Sequence, residues 1–238
     1  MGALAGLQRA GDLLVSEIFG PTFQGEGPSA GRQAVFVRLS RCNLACTWCD
    51  TAYTWDWKRF DVAQESHRAY VEEIAGSVLA CPAGMVVITG GEPLLQQHAL
   101  IRLLRLISGS GRRIEIETNG TIPPLRELTA LVDTFNVSPK LANSGVLPSR
   151  RTDRAALSSL AACGKAVFKF VLSGPDDVQE VAALEQDFGL SPVWVMPEGA
   201  TAESVQTGMQ ALAEDALAHG WNLSSRLHIL VWGDQRGR

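Results

Sequence analysis

The chain has 238 residues, 46% hydrophobic and 19% charged, with a formal net charge of −4. That length allows one large domain with a sizeable core. The acidic balance excludes the clustered Lys and Arg of a nucleic-acid binder, and no apolar run is long enough to span a bilayer. The N-terminus, MGALAGLQRAGDLL, has no basic region followed by an apolar one, so export is not expected. Gly6 stands where a myristoylation site needs Ser or Thr. Five cysteines, three of them crowded together, fit a reducing cytoplasm better than a disulfide framework.

In chain order, residues 17–27 read as a strand running into a glycine-rich turn that presents Gln24 and Glu26. Residues 34–39 are an apolar strand. Residues 66–79 have Val71, Ile74 and Val78 at helical spacing, which predicts a helix. A buried strand is expected over 85–88, an amphipathic helix over 94–107 stopped by Gly109 and Gly111, and a strand over 114–118. A short helix follows over 125–132, after Pro123 and Pro124. Next come a strand over 135–137, a helix over 154–163, a strand over 166–172 and a helix over 177–188. A strand over 193–196 precedes a helix capped by Thr201 and ending near Gly220. Residues 227–231 are expected as a last strand. Alternating strands and helices imply parallel pairing through right-handed crossovers. At most seven strands are too few for a closed eight-unit barrel. The expected fold is α/β: an open, partial (β/α) barrel of about six βα units, mostly parallel, in one domain over 1–238. Its chemistry should sit on the loops after the strand C-termini.

Those loops are conspicuous. RCNLACTWCDT places Cys42, Cys46 and Cys49 in a C-x3-C-x2-C spacing. A closed structural zinc site wants four protein ligands. His67, His98, His219 and His228 are scattered, and Cys81 and Cys163 sit by helix ends, so no fourth ligand is evident. Three thiolates suit a cubane iron–sulfur cluster with one open iron. Thr89-Gly90-Gly91-Glu92-Pro93 follows a strand and opens a helix. Its glycines let backbone approach a ligand closely, and Glu92 offers an acceptor for an ammonium group. Glu117 and the run Ser138-Pro139-Lys140 end two further strands. Arg38, inside the run AVFVRL, is a charge that needs a partner.

The cysteine loop, with Trp48 before its last cysteine, resembles the cluster loop of the radical S-adenosylmethionine superfamily. There the open iron binds the cofactor's methionine end, and an electron from the cluster releases a 5′-deoxyadenosyl radical. TGGEP resembles the superfamily's motif for the cofactor's amino group. With the turn FQGEG, FVRL, CDT, ETNG and SPK, the chain resembles the 7-carboxy-7-deazaguanine synthase family, which serves 7-deazapurine (queuosine-type) biosynthesis. That resemblance implies conversion of 6-carboxy-5,6,7,8-tetrahydropterin to 7-carboxy-7-deazaguanine with loss of ammonia. It implies a [4Fe-4S] cluster on Cys42, Cys46 and Cys49, S-adenosyl-L-methionine, and Mg²⁺ on Thr51. The substrate would meet Phe23, Gln24, Gly25, Glu26 and Thr89. Arg38 would pair its carboxylate, which a guanidinium fork suits. Glu117 would be a substrate or acid–base contact. Trp48, Cys49, Asp50, Gly90, Gly91, Glu92, Ser138, Pro139 and Lys140 would attend the cofactor. An electron donor such as flavodoxin or ferredoxin, and a homodimer, are further implications.

The chain departs from the family at two points. Met196-Pro197 stands where many members carry a glutamine before the proline, and a thioether cannot supply the amide's hydrogen bonds. The C-terminal DQRGR replaces a terminal proline, so no C-terminal substrate contact is expected. Three rival readings remain: a glycyl-radical activating enzyme acting on a protein, a simple iron–sulfur electron carrier, and a zinc module. The QGEG turn with Arg38 and CDT suits a small anionic ring better than a protein loop. A carrier has no need of TGGEP.

Overall fold

The computed structural model describes residues 12–238. The readings of Gly2, Gly6 and the leader fall mainly on residues 1–11 and there lie outside the described residues. Among the described residues, nine strands form one sheet. They are β1 (Asp12–Phe23), β2 (Gln33–Leu39), β3 (His67–Tyr70), β4 (Met85–Gly90), β5 (Arg113–Thr118), β6 (Thr134–Val137), β7 (Ala166–Leu172), β8 (Val193–Pro197) and β9 (Asn222–Leu223). The order is β3-β1-β2-β4-β5-β6-β7-β8-β9. Neighbours from β2 onward are parallel. β1 is antiparallel to both β2 and β3. The sheet ends on β3 and β9, so the barrel is open, with β2 and β4–β8 as its six wound units.

The helices are α1 (Val62–Glu65), α2 (Val71–Ala80), α3 (Gln97–Ile107), α4 (Arg126–Leu131), α5 (Pro148–Arg151), α6 (Arg154–Ala162), α7 (Val178–Phe188), α8 (Ala202–His219) and α9 (Leu227–Trp232). α3 buries Leu100, Ile101, Leu103, Leu104 and Ile107. That stripe is worth on the order of 10 kcal/mol of gross transfer free energy. Its outer Arg102 and Arg105 pair with Glu72 and Glu127. Among the described residues, no helix is long and apolar enough to cross a membrane.

Strand side chains alternate between two faces. Val35, Val37, Val86, Ile88, Ile114, Ile116, Phe135, Phe168 and Phe170 belong to the main core under the helices. The residues between them face inside the barrel. There Phe19, Ala34, Phe36, Met85 and Val87 form a small apolar cluster. Above it, Arg38, Thr89, Glu117, Asn136, Lys169 and Met196 line the main cavity.

Three expectations need correcting. The helix foreseen over 66–79 begins only at Val71, and His67–Tyr70 is a strand. β1 lies between β2 and β3, and its residues Asp12–Val15 pair with β3 along the edge opposite β2. Residues 227–231 are helix, not strand. Short apolar runs do not separate the two states by periodicity, and here Ile229 is buried while Leu230 and Val231 are exposed. The strand in that region is β9, just upstream. Among the described residues the sheet therefore has nine strands, not seven, and it is mostly parallel as expected, with β1 the antiparallel member beside β2 and β3.

Candidate active site

The cysteine loop leaves the C-terminal end of β2, and β4 holds it in place. Gly91 N–H donates to the Leu39 carbonyl at 3.1 Å, and Glu92 N–H to the Arg41 carbonyl at 2.8 Å. A Cβ on Gly91 would stand 2.0 Å from the Arg41 oxygen, so the missing side chain admits the loop's own backbone. Arg41 takes φ 83, a strained value for a non-glycine residue. Its N–H bonds Thr54 O at 2.7 Å, and its guanidinium stacks on Trp57. These contacts hold the strained turn.

Cys42, Cys46 and Cys49 are free thiols, and all three line a cavity of about 420 Å³. Donors converge on the sulfurs. Leu44 N–H reaches Cys42 Sγ at 3.4 Å, and Trp55 Nε1–H reaches Cys49 Sγ at 3.3 Å. Thr51 Oγ1 lies 3.6 Å from Cys49 Sγ. Burial pushes the Cys42 thiol up to about 12, despite the Leu44 N–H. Burial also raises Cys46, partly offset by the Lys140 charge. Three thiols on one loop, two of them with N–H donors aimed at the sulfur, fit a cluster, since thiolates ligate iron and hydrogen bonds tune it. Among the described residues, no three His, Cys, Asp or Glu side chains gather as one metal ion would need. A cubane gives each thiolate its own iron, so it sets a different demand.

Glu92 does not line the cavity. It caps the turn of Pro93–Gln96, accepting from Leu94 N–H (2.9 Å), Thr118 Oγ1–H (2.8 Å) and Asn119 N–H (2.7 Å). Burial raises its carboxyl even so. The acceptor expected for an ammonium group is therefore spent inside the fold. Gly90 and Gly91 do reach the wall, as do Ser138 and Lys140, while Pro139 is buried in the turn between them. Lys140 Nζ–H donates to Ser138 Oγ at 2.8 Å and stands over the Trp48 ring at 5.3 Å. Trp48 in turn donates to Asn143 Oδ1.

The turn after β1 forms the opposite wall. Phe23 stacks on Trp232 at 5.8 Å. Gln24 Nε2 donates to Glu117 Oε1 at 3.0 Å and Glu115 Oε1 at 3.2 Å. Thr89 Oγ1–H donates to Glu117 Oε2 at 2.6 Å. A Cβ on Gly25 would sit 2.0 Å from His228 Nδ1, so glycine there makes room for that ring. Arg38 gives its Nε–H to Glu17 at 2.7 Å, the partner its burial requires. Thr51 and Asp50 both line the cavity, and Asp50 is tied to Arg226.

Several wall residues escaped the sequence reading. Lys169 pairs with Glu26, which Arg226 Nε also holds at 3.1 Å. Burial opposes ionisation of Glu26, and Lys169 and Arg226 overcome it, holding the carboxyl well below its usual range. Arg226 continues to Asp50 and, through Nη1, to Gly199 O at 2.7 Å. Burial holds the His228 imidazole below its ordinary value. Glu115 lies beneath the wall with Ser29 and Asn136, its carboxyl raised by burial. Residues 234–238 line the cavity as well, although no substrate contact was expected of the C-terminal segment. The signal available for Lys169 was its position within AVFKFVL, out of phase with Phe168 and Phe170.

The family model described as the Radical SAM superfamily matches residues 37–172. A 7-carboxy-7-deazaguanine synthase from Pyrobaculum aerophilum is 40% identical over 228 residues, covering 94% of this chain and 96% of that protein. One from Hyperthermus butylicus is 38% identical, covering 92% of each. The crystal structure of QueE from Escherichia coli superposes with a TM-score of 0.68 at 26% identity, covering 90% of this chain and 93% of that one. The chain belongs to the radical SAM superfamily and, within it, to the 7-carboxy-7-deazaguanine synthase family.

Proposed function

We propose that this protein converts 6-carboxy-5,6,7,8-tetrahydropterin to 7-carboxy-7-deazaguanine with loss of ammonia; the names of its relatives give the product, and the substrate is what the resemblance of its motifs implies. The observation that carries this reading is one cavity shared by three thiols, the TGG rim, Arg38, Gln24 and Glu117. A [4Fe-4S] cluster on Cys42, Cys46 and Cys49, with S-adenosyl-L-methionine, supplies hydrogen-atom abstraction when bound. The chain's own residues bind and orient the ring. Arg38 has one N–H on Glu17 and keeps others for a carboxylate. Glu117 has one donor on each oxygen and keeps lone pairs for a ring N–H. Lys140 stands ready for the cofactor's carboxylate. Thr51 gives one hard oxygen to Mg²⁺, an ion that accepts few protein ligands and takes substrate oxygens. An external one-electron donor such as flavodoxin or ferredoxin, a homodimeric assembly and one domain over the chain complete the proposal.

The test is an anaerobic assay with the carboxypterin that follows deazaguanine product and intact cofactor. Arg38→Ala should spare cofactor cleavage in the absence of turnover and abolish product. Normal product formation by that variant removes Arg38 from the carboxylate role, and no product from the wild type overturns the reading.

A further inference from the structure

Arg236 lies in the C-terminal segment, where sequence reading foresaw no substrate contact. The chain turns at Gly233, which has φ 72 at the end of α9, and residues 234–238 then run along the cavity. Arg236 reaches back across three elements. Its Nε–H donates to Glu17 Oε2 of β1 at 3.0 Å, and its Nη1 pairs with Glu65 Oε2 of α1 at 2.8 Å. Its guanidinium lies 3.9 Å from the centroid of the Tyr53 ring, just beyond the cysteine loop.

Glu17 is therefore shared. Its Oε1 accepts from Arg38 Nε–H at 2.7 Å and from Tyr53 O–H at 2.9 Å, and its Oε2 takes Arg236. Position decides what this sharing does. Arg38, Tyr53 and Arg236 line the cavity, whereas Glu17 and Glu65 do not. Two arginines that share the Glu17 carboxylate thus line the cavity, while the carboxylates they pair with do not. Each has N–H groups beyond those used on Glu17 and Glu65. An exposed ion pair by itself contributes little, and Arg236 is 45% exposed. Two carboxylates and a ring gripping one guanidinium instead fix its place beside Arg38.

We propose that Arg236 is a second carboxylate-binding residue, pairing with Arg38 as a two-guanidinium clamp that selects an anionic ring over its uncharged counterpart. The proposal rests on the carboxypterin reading. Substrate specificity is then set partly by the C-terminal segment, which brings its charge to a wall built by β1, β2 and the cysteine loop.

The experiment is anaerobic equilibrium binding of two ligands to the cluster-loaded protein: the carboxypterin and the same pterin without its carboxylate. Wild type should prefer the carboxylated ligand. Arg236→Gln should weaken that ligand about tenfold, about 1.4 kcal/mol, and leave the uncharged one within twofold. Equal weakening of both ligands, or no weakening of either, overturns the clamp while wild-type preference leaves the carboxypterin reading standing. A wild type without preference overturns that reading and the clamp with it.

Discussion

Lys169→Met removes the cation that shares Glu26 with Arg226. The Lys169 and Glu26 side chains are 6% and 16% exposed, so water screens their pair little. Removing one partner of a buried pair costs about 3–5 kcal/mol, because the other charge stays behind uncompensated. Arg226 Nε remains 3.1 Å from Glu26, which places the expected loss near the low end, about 3 kcal/mol. That is about a hundredfold in the folding equilibrium. Methionine replaces most of the aliphatic stem, so packing adds little. The assay is urea unfolding of the variant beside wild type, with the slope unchanged so that midpoint reports stability. Adding Glu26→Gln should recover at least half of the loss, since no buried charge is then left unpaired. The pair also sets a pH signature. Burial disfavours the Lys169 ammonium, and the Glu26 carboxylate more than offsets it, raising Lys169 above its ordinary 10.5. A raised cation stabilises below the unfolded value and loses that contribution as pH climbs through the folded one. Glu26, held low, contributes above the ordinary carboxylate range and loses it as pH falls through its depressed value. Wild type should therefore lose stability faster than the double variant above about pH 10 and below about pH 4. A single-variant loss under about 1 kcal/mol, or no recovery in the double variant, refutes the reasoning.

Cys46→Ala should abolish the brown absorbance of anaerobically prepared protein and all cofactor cleavage, and a variant that still cleaves the cofactor would remove this loop from the cluster role. Gly91→Ala puts a methyl 2.0 Å from the Arg41 carbonyl, a backbone clash of the overpacking kind. Thermal unfolding should fall by at least about 4 °C, with iron content reduced in step, and an unshifted midpoint would contradict the geometry. Arg226→Lys replaces a fork on Glu26, Asp50 and Gly199 O with a point charge that cannot hold all three. A midpoint drop of about 4 °C is expected in differential scanning calorimetry, and wild-type behaviour would show the three-way hold to be unimportant.

The wound part of the barrel was readable because its strands are short runs rich in Val, Ile and Phe, continuous in β4 and interrupted by single polar residues in β2, β5 and β7, with turn residues between them. Residues 166–172 were placed to the residue, and Thr201 and Gly220 bracket α8 as expected. β3 was not readable. HRAY has no strand signal of its own, and it is a strand through its long-range pairing with Asp12–Val15 of β1. The cysteine loop, the TGG turn and the FQG turn were readable because each works through residues close in sequence. Glu26 was noticed, but the two cations that hold it lie 143 and 200 residues away. Such partners are chosen by which strand ends meet. Strand phase could still have flagged one of them. Phe168 and Phe170 pack under the helices, which leaves Lys169 on the cavity face with Glu117.

The charges around the cavity are organised rather than scattered. In one network Arg38 and Arg236 are matched by Glu17 and Glu65. In the other, Lys169 and Arg226 are matched by Glu26 and Asp50. Each network balances two cations with two carboxylates, and each ties segments that would otherwise move apart. Arg226 joins the cysteine loop to the turn after β1, and Arg236 joins β1 to α1. Lys140 and Glu117, at the ends of neighbouring strands, stand outside both networks. Their hydrogen-bond partners are neutral hydroxyls and an amide. A neutral partner orients a charge without cancelling it. Among the described residues Lys140 and Glu117 thus make no ion pair of their own, although the Glu117 charge also favours the Lys169 ammonium. The balanced pairs hold the walls, the N–H groups that Arg38 and Arg236 do not use on Glu17 and Glu65 remain for a carboxylate, and Lys140 and Glu117 meet the rest of the ligands.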